Sequence, residues 1–252
     1  MNTFRLSFYL TITLFVLSCK GNSIETAQIK AERIPIDKSI NGDPEIERFI
    51  APYKKHLNKT LDSALAYNPK SMLKSDGDLN TAIGNLMADI VMEQANPILV
   101  KRTGKEIDMV LLNHGGIRSG LNQGNITTRS AYALMPFENE IVVAELSGEK
   151  IVEMLTYLEQ AKTAHPVSGV RIEMDQNYKV TRATINGKKI DKEKTYFVAT
   201  SDYLQQGGDN MNFFKDPIAL HQVDYKLRNA IIDYFKKVDT LKVEKDDRFI
   251  RK

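Results

Sequence analysis

The chain has 252 residues, 35 lysines and arginines against 32 aspartates and glutamates, a net charge of +3, one cysteine and 42% hydrophobic residues. This length suits one substantial domain with extensions and excludes two large enzymatic domains, while the hydrophobic content excludes disorder. Lysines scattered among acids form no basic stripe for nucleic acid, and a single cysteine excludes an intramolecular disulfide.

In chain order, Arg5 precedes an apolar and hydroxyl run, residues 6–17, too short to stay in a bilayer as a spanning helix but suited to a signal-peptide core. The run ends at Val16-Leu-Ser-Cys19 and is similar to a bacterial lipoprotein signal, which implies cleavage before Cys19 and a diacylglycerol on its sulfur. Acyl chains at roughly 0.8 kcal/mol per buried methylene anchor a protein without a spanning helix. The expected organisation is a signal peptide over residues 1–18, a polar tether over 19–43 and a folded domain over 44–252. Lys20 after the cysteine lacks an acidic retention signal, so the expected location is the cell envelope, on either face of the outer membrane.

Structure is expected to begin near Pro44. Ile46, Phe49, Ile50, Tyr53, Leu57 and Leu61 recur at helical spacing, and residues 80–93 repeat the pattern through Ile83, Leu86, Met87, Ile90 and Val91. Residues 107–112 form a short apolar run that ends before a glycine pair, as a buried strand feeding a turn does. Thr127 or Thr128 can cap a helix that Pro136 stops. Residues 141–146 read as a strand, 148–158 as a helix, and 169–174, 179–185 and 196–200 as strands, with Asn186-Gly187 a turn. A last helix is expected from about Asp224 to Lys236. Helices and strands interleave first and strands cluster later, which predicts a mixed α/β domain.

Three segments pair ligand-type side chains with tightly turning backbone: Asn113-His-Gly-Gly-Ile-Arg118, Pro136-Phe-Glu-Asn139 and Tyr203-Leu-Gln-Gln-Gly-Gly-Asp209. A strand turning through Gly115 and Gly116 exposes backbone N–H groups and admits a ligand closely, and Arg118 offers a planar fork of donors suited to phosphate or ribose. Joined by Gly84-Asn85-Leu86, Ala88-Asp89, Gly124-Asn-Ile-Thr127, Leu146-Ser-Gly148 and Ser168-Gly169, these blocks run in an order that resembles the C-terminal domain of the 5′-nucleotidase family. The resemblance covers nearly the whole stretch from Pro44 to the last helix and implies a four-layer α/β/β/α fold with a mixed sheet. It also implies that Asn113 and Arg118 meet the substrate, that Phe137 and Tyr203 sandwich the base, that Asp209 accepts from ribose hydroxyls, and that Asn139 and Gly169 lie near the base and the pocket wall. Tyr203 departs from the more common phenylalanine: its π face is retained, and its hydroxyl is free to add a polar contact or narrow the choice of base. Stacking on an aromatic tolerates many bases and is worth roughly 1–3 kcal/mol.

Two absences qualify the resemblance. The family places arginines for the phosphate just before the Gly84-Asn85 helix, where residues 75–79 have none; Lys70 and Lys74 are the candidates to substitute, and without them the pocket prefers nucleosides. Hydrolysis in the family belongs to a separate metallophosphatase domain whose two metals activate water. His56, His114, His165 and His221 lie far apart and form no metal-ligand motif, and no nucleophile has a base beside it in sequence. No cofactor is therefore expected in this chain, and divalent metals are expected only in a partner. Three functions stay open: the specificity half of a split 5′-nucleotidase acting with a separately encoded metallophosphatase, a free-standing nucleotide- or nucleoside-binding lipoprotein, and a noncatalytic envelope interaction protein.

Overall fold

The computed structural model describes residues 31–252, so the signal-type run, Cys19 and the first part of the tether lie outside the described residues. Two compact units are distinguished, Met1–Phe49 and Ile50–Lys252. Helix α1, Pro44–Leu61, has no buried residue, and Ile46, Phe49, Ile50, Tyr53 and Leu57 are exposed. At its C-terminal end Arg129 Nε meets Asp62 Oδ1 at 2.5 Å and Arg129 Nη2 meets Asn58 Oδ1 at 2.8 Å.

The second unit is a mixed α/β fold built on a five-stranded sheet. Its strands are β2 (Met109–Leu111), β4 (Glu140–Ser147), β5 (Val167–Ser168), β9 (Thr195–Ser201) and β10 (Ala219–Lys226), in the order β10-β4-β9-β2-β5. β2 and β9 run parallel; the other neighbours are antiparallel. Strand alternation sends Val110 and Leu112 to one face and Met109 and Leu111 to the other, and both faces are buried, which is why residues 109–112 are apolar without interruption.

On the first face, helix α2 (Ala82–Thr103) packs Ile83, Leu86, Met87, Ile90 and Val91 against the C-terminal helix α6 (Leu227–Lys237), through Leu227, Ala230, Ile231 and Phe235. On the second face, helix α4 (Gly148–Ala161) contributes Ile151, Met154 and Leu158. A four-stranded sheet joins them there, in the order β11-β6-β7-β8, formed by Phe249–Arg251, Val170–Met174, Val180–Ile185 and Lys188–Lys189. α4 touches both β4 and β7, so helices and two sheets share this second core.

Local sequence explains most boundaries. Thr81 caps α2 by accepting from Gly84 N–H, and Gly104 ends it in the left-handed region at φ 73°. α2 runs well past residue 93 with Pro97 inside it, because Ala95 and Leu99 continue the buried face. Helix α3, Thr128–Leu134, starts with a capping box between Thr127 and Ser130. The last helix begins at Leu227, later than expected: residues 219–226 pair with β4, and Asp224, at φ 54°, sits in an irregular stretch between Gln222 and Lys226. A pair of short strands, β1 (Ala64–Asn68) and β3 (Gly124–Thr127), completes the unit.

Candidate functional site

The parallel pair β2 and β9 end together, with Val110 opposite Ala199, and antiparallel β4 starts beside them, with Ile141 opposite Ser201. The three turning segments therefore leave one end of the central sheet: 113–118 follows β2, 202–209, which opens with the short helix α5 (Asp202–Gln205), follows β9, and 136–139 precedes β4. The carboxyl ends of adjacent parallel strands are where open α/β sheets present loops to ligands.

Asp209 is the hub. Its Oδ1 accepts from Tyr203 Oη at 2.9 Å and its Oδ2 from Asn113 Nδ2 at 2.7 Å, which joins the first and last motifs directly. The backbone is left-handed at Asp209 (φ 51°) and Asn210 (φ 62°), and Tyr157 Oη donates to the Asp209 carbonyl at 3.0 Å. The hydrogen bond to Asp209 raises the Tyr203 phenol pKa, and burial, then the Asp209 charge, raises that of Tyr157, so both stay neutral donors. Two glycines are required here by close approach. A Cβ on Gly208 would lie 2.5 Å from the Tyr203 ring, and one on Gly116 would lie 2.7 Å from Asn113 Oδ1. Gly115 is looser: a Cβ there would stand 3.5 Å from Asp209 Oδ2.

Phe137 and Tyr203 are large aromatics left 39% and 45% exposed. The Arg118 guanidinium carbon stands 5.7 Å from the Phe137 ring centroid, which brings the first motif to the second. Asp202 links the second to the third: its Oδ1 accepts from Glu140 N–H at 3.2 Å and from Tyr203 N–H at 2.7 Å. Beneath the cluster, His165 is buried, and its Nδ1 accepts from His114 N–H at 3.3 Å. Burial, with a smaller push from His114, lowers its pKa to about 4, so it is neutral near pH 7. His114 Nδ1 lies 3.2 Å from the Ala164 carbonyl. Among the described residues no group of three or more His, Cys, Asp or Glu could hold a metal ion.

Not every expected residue joins this cluster. Gly169, at φ 73°, packs at the opposite end of β2, where a Cβ would lie 2.3 Å from the Asp108 carbonyl. Asn139 contributes its carbonyl, which accepts from Leu227 N–H at 3.0 Å. Residues 75–79 face elsewhere: Asp78 accepts from Arg251 Nε at 2.8 Å and from Tyr178 Oη at 3.3 Å. The segment carrying Lys70 and Lys74 runs beside the loop after Arg118, with Met72 bridged to Leu121. Tyr157, His165, Asp202 and Arg228 were not legible as site residues, because each acts through a partner distant in sequence.

Residues 63–216 match the family model described as 5′-nucleotidase, C-terminal domain. The chain is 27% identical over 227 residues to the trifunctional nucleotide phosphoesterase protein YfkN of Bacillus subtilis, covering 81% of this chain and 15% of that protein. It is 25% identical over 187 residues to protein UshA of Escherichia coli, covering 71% of this chain and 32% of UshA. The curated relatives are thus much longer, and this chain spans about a third or less of their length. In fold it resembles a 5′-nucleotidase precursor from Thermus thermophilus, with a TM-score of 0.69 at 20% identity over 81% of this chain and 42% of that one. The NAD nucleotidase of Haemophilus influenzae gives a TM-score of 0.63 at 18% identity, over 83% and 42% of the two chains. With more than half of its length matched by the family model and the same fold in these structures, the chain belongs to the 5′-nucleotidase C-terminal domain family.

Proposed function

We propose that the cluster around Asp209 binds a nucleotide or nucleoside as the substrate-specificity half of a 5′-nucleotidase-type system. The observation that carries this reading is the joining of Asn113, Tyr203 and Asp209 by hydrogen bonds at an exposed sheet end, with Arg118 drawing Phe137 alongside. The base stacks on Phe137 and Tyr203. Each Asp209 oxygen already takes one donor, and a carboxylate has further lone pairs for two neighbouring ribose hydroxyls. The Tyr203 hydroxyl points at Asp209, so it tunes the sugar side of the site more than the base side. Arg118 and the N–H groups of the Gly115-Gly116 turn are the donors for an anionic group.

Hydrolysis in this scheme belongs to a separately encoded metallophosphatase, whose two metals activate water; this chain contributes positioning, which alone lowers a barrier by several kcal/mol. A lipid on Cys19 would hold the pair at the cell envelope. A second reading, a free-standing nucleoside-binding lipoprotein, is favoured by one observation: residues 75–79 offer no arginine, and Asp78 there is engaged with Arg251. Titration of the full chain with adenosine and with AMP, followed by a phosphatase assay with divalent metal, tests both. We expect both ligands to bind, AMP the tighter by roughly tenfold, about 1.4 kcal/mol, through Arg118 and the turn N–H groups, without phosphate release. Metal-dependent release by clean protein would place a catalytic site in this chain and contradict the division of labour. Submicromolar adenosine binding with no change on adding a metallophosphatase would favour the second reading.

A further inference from the structure

Residues 136–139, which carry Phe137, connect α3 to β4, and the first turn of α6 grips them. Arg228 Nη1 donates to the Pro136 carbonyl at 3.0 Å and the Phe137 carbonyl at 3.1 Å, Arg228 Nη2 pairs with the Glu138 carboxylate, and Leu227 N–H donates to the Asn139 carbonyl at 3.0 Å. Lys226 Nζ adds a second cation to Glu138 at 2.5 Å. Together, Lys226 first and then Arg228, these cations lower the Glu138 pKa to about 2. The Arg228 guanidinium lies 4.1 Å from the centroid of the Tyr132 ring and is shielded from solvent, with the residue only 4% exposed.

These contacts run against local preference. A cation in the first turn of a helix opposes the helix dipole, and Arg228 Nε is buried with no hydrogen-bond partner among the described residues. The stability of α6 therefore does not account for an arginine at this place. Such departures gather where a loop must be held for function. Arg228 also lies beyond the stretch 63–216 matched by the family model.

We propose that Arg228 is a positioning residue for Phe137: by clamping two consecutive carbonyls and the next side chain, it keeps the ring exposed beside Arg118, ready to stack on a base. The proposal rests on the reading of Phe137 as a base-stacking ring. Arg228 itself touches no ligand; it removes conformational freedom from the loop before binding, so the ordering is not charged against affinity.

The test is a double-mutant cycle on adenosine binding by the full chain, with a thermal melt of every variant. Phe137→Ala is expected to weaken binding roughly tenfold, Arg228→Met by a similar factor, and the double variant no more than Phe137→Ala alone, because the arginine works through the ring. Losses that multiply, or a folded Arg228→Met with wild-type affinity, would overturn the proposal. Should Arg228→Met fail to fold, Arg228→Lys decides: it keeps the charge but not the two-pronged reach, and it must weaken adenosine at least threefold, by roughly the same arithmetic. Amide hydrogen exchange at Leu227, whose N–H donates to the Asn139 carbonyl of this loop, needs no ligand. Arg228→Lys must speed it there; unchanged protection overturns the proposal even if wild-type protein binds no adenosine, an outcome that would separately overturn the reading of the site.

Discussion

Two polar clusters use motif residues of this family in opposite ways. Around Arg248, hydrogen bonding is used up inside the fold. The guanidinium takes Asp89 with two bonds, at 2.6 and 3.0 Å, Asp246 through Nε at 2.8 Å, and the Val167 carbonyl at 3.0 Å. Ser168 Oγ donates to the same Asp89 at 2.7 Å, and buried Asn85 donates to Asn80 Oδ1 and the Glu244 carbonyl. Burial alone would lower the Arg248 pKa, but Asp89 and Asp246 outweigh it and raise it, so the charge is fixed. Around Asp209 the carboxylate is exposed and keeps acceptor capacity, and two aromatic rings stay at the surface. Blocks that run together in sequence thus divide into residues that fasten the C-terminal strand β11 and residues left open at the sheet end.

The largest expected effect is on the fastened cluster. Arg248→Ala leaves Asp89 and Asp246 without their counter-ion and the Val167 carbonyl without its donor; with the two carboxylates partly open to solvent, it should lower stability by about 2–3 kcal/mol, or roughly 5–10 °C in the melting midpoint. Adenosine affinity at 25 °C should stay as in the unsubstituted chain; an accompanying loss of affinity would break the division between the clusters.

The next effect is expected at His165, beneath the Asp209 cluster. Folding lowers the His165 pKa from 6.5 to about 4, so folding favours the neutral ring. Its contribution is fully present above pH 6.5 and is lost as pH falls toward 4, by roughly 2–3 kcal/mol at pH 4.5. Denaturant unfolding at pH 7.5 and 4.5, in the parent chain and in His165→Gln, checks this: the substitution should flatten the pH dependence by that amount. An identical slope in both proteins would mean that His165 is not the group that titrates.

Much of this was legible in the sequence where one residue type dictated one local geometry. Thr127 or Thr128 announced the cap of α3, which Thr127 supplies, and the apolar run 107–112 announced a buried strand feeding a glycine turn. Long-range pairing was not legible. β1, β3 and β11 are short segments that become strands only against partners far along the chain, and the end of β10 reads as helix because residues 219–226 lack a clean alternation. In the candidate site, Asn113 and Arg118 stand on a glycine turn whose chemistry suits a ligand, whereas Phe137, Tyr203 and Asp209 could be named only through the resemblance to the family. Arg228, Tyr157 and Asp202 could not be named, since each is recognisable only through the loop it holds. Gly169 shows the converse: a motif residue whose positive φ and contact with Asp108 are complete without any ligand.

The most direct measurement is calorimetric titration of adenosine into the full chain and into Phe137→Ala, with melting curves of both. Saturable binding to the parent chain is expected, weakened roughly tenfold, about 1–2 kcal/mol, in the variant at an unchanged melting midpoint. Equal affinity in the two proteins would mean that the base is held somewhere other than the sheet end that Phe137 and Asp209 share.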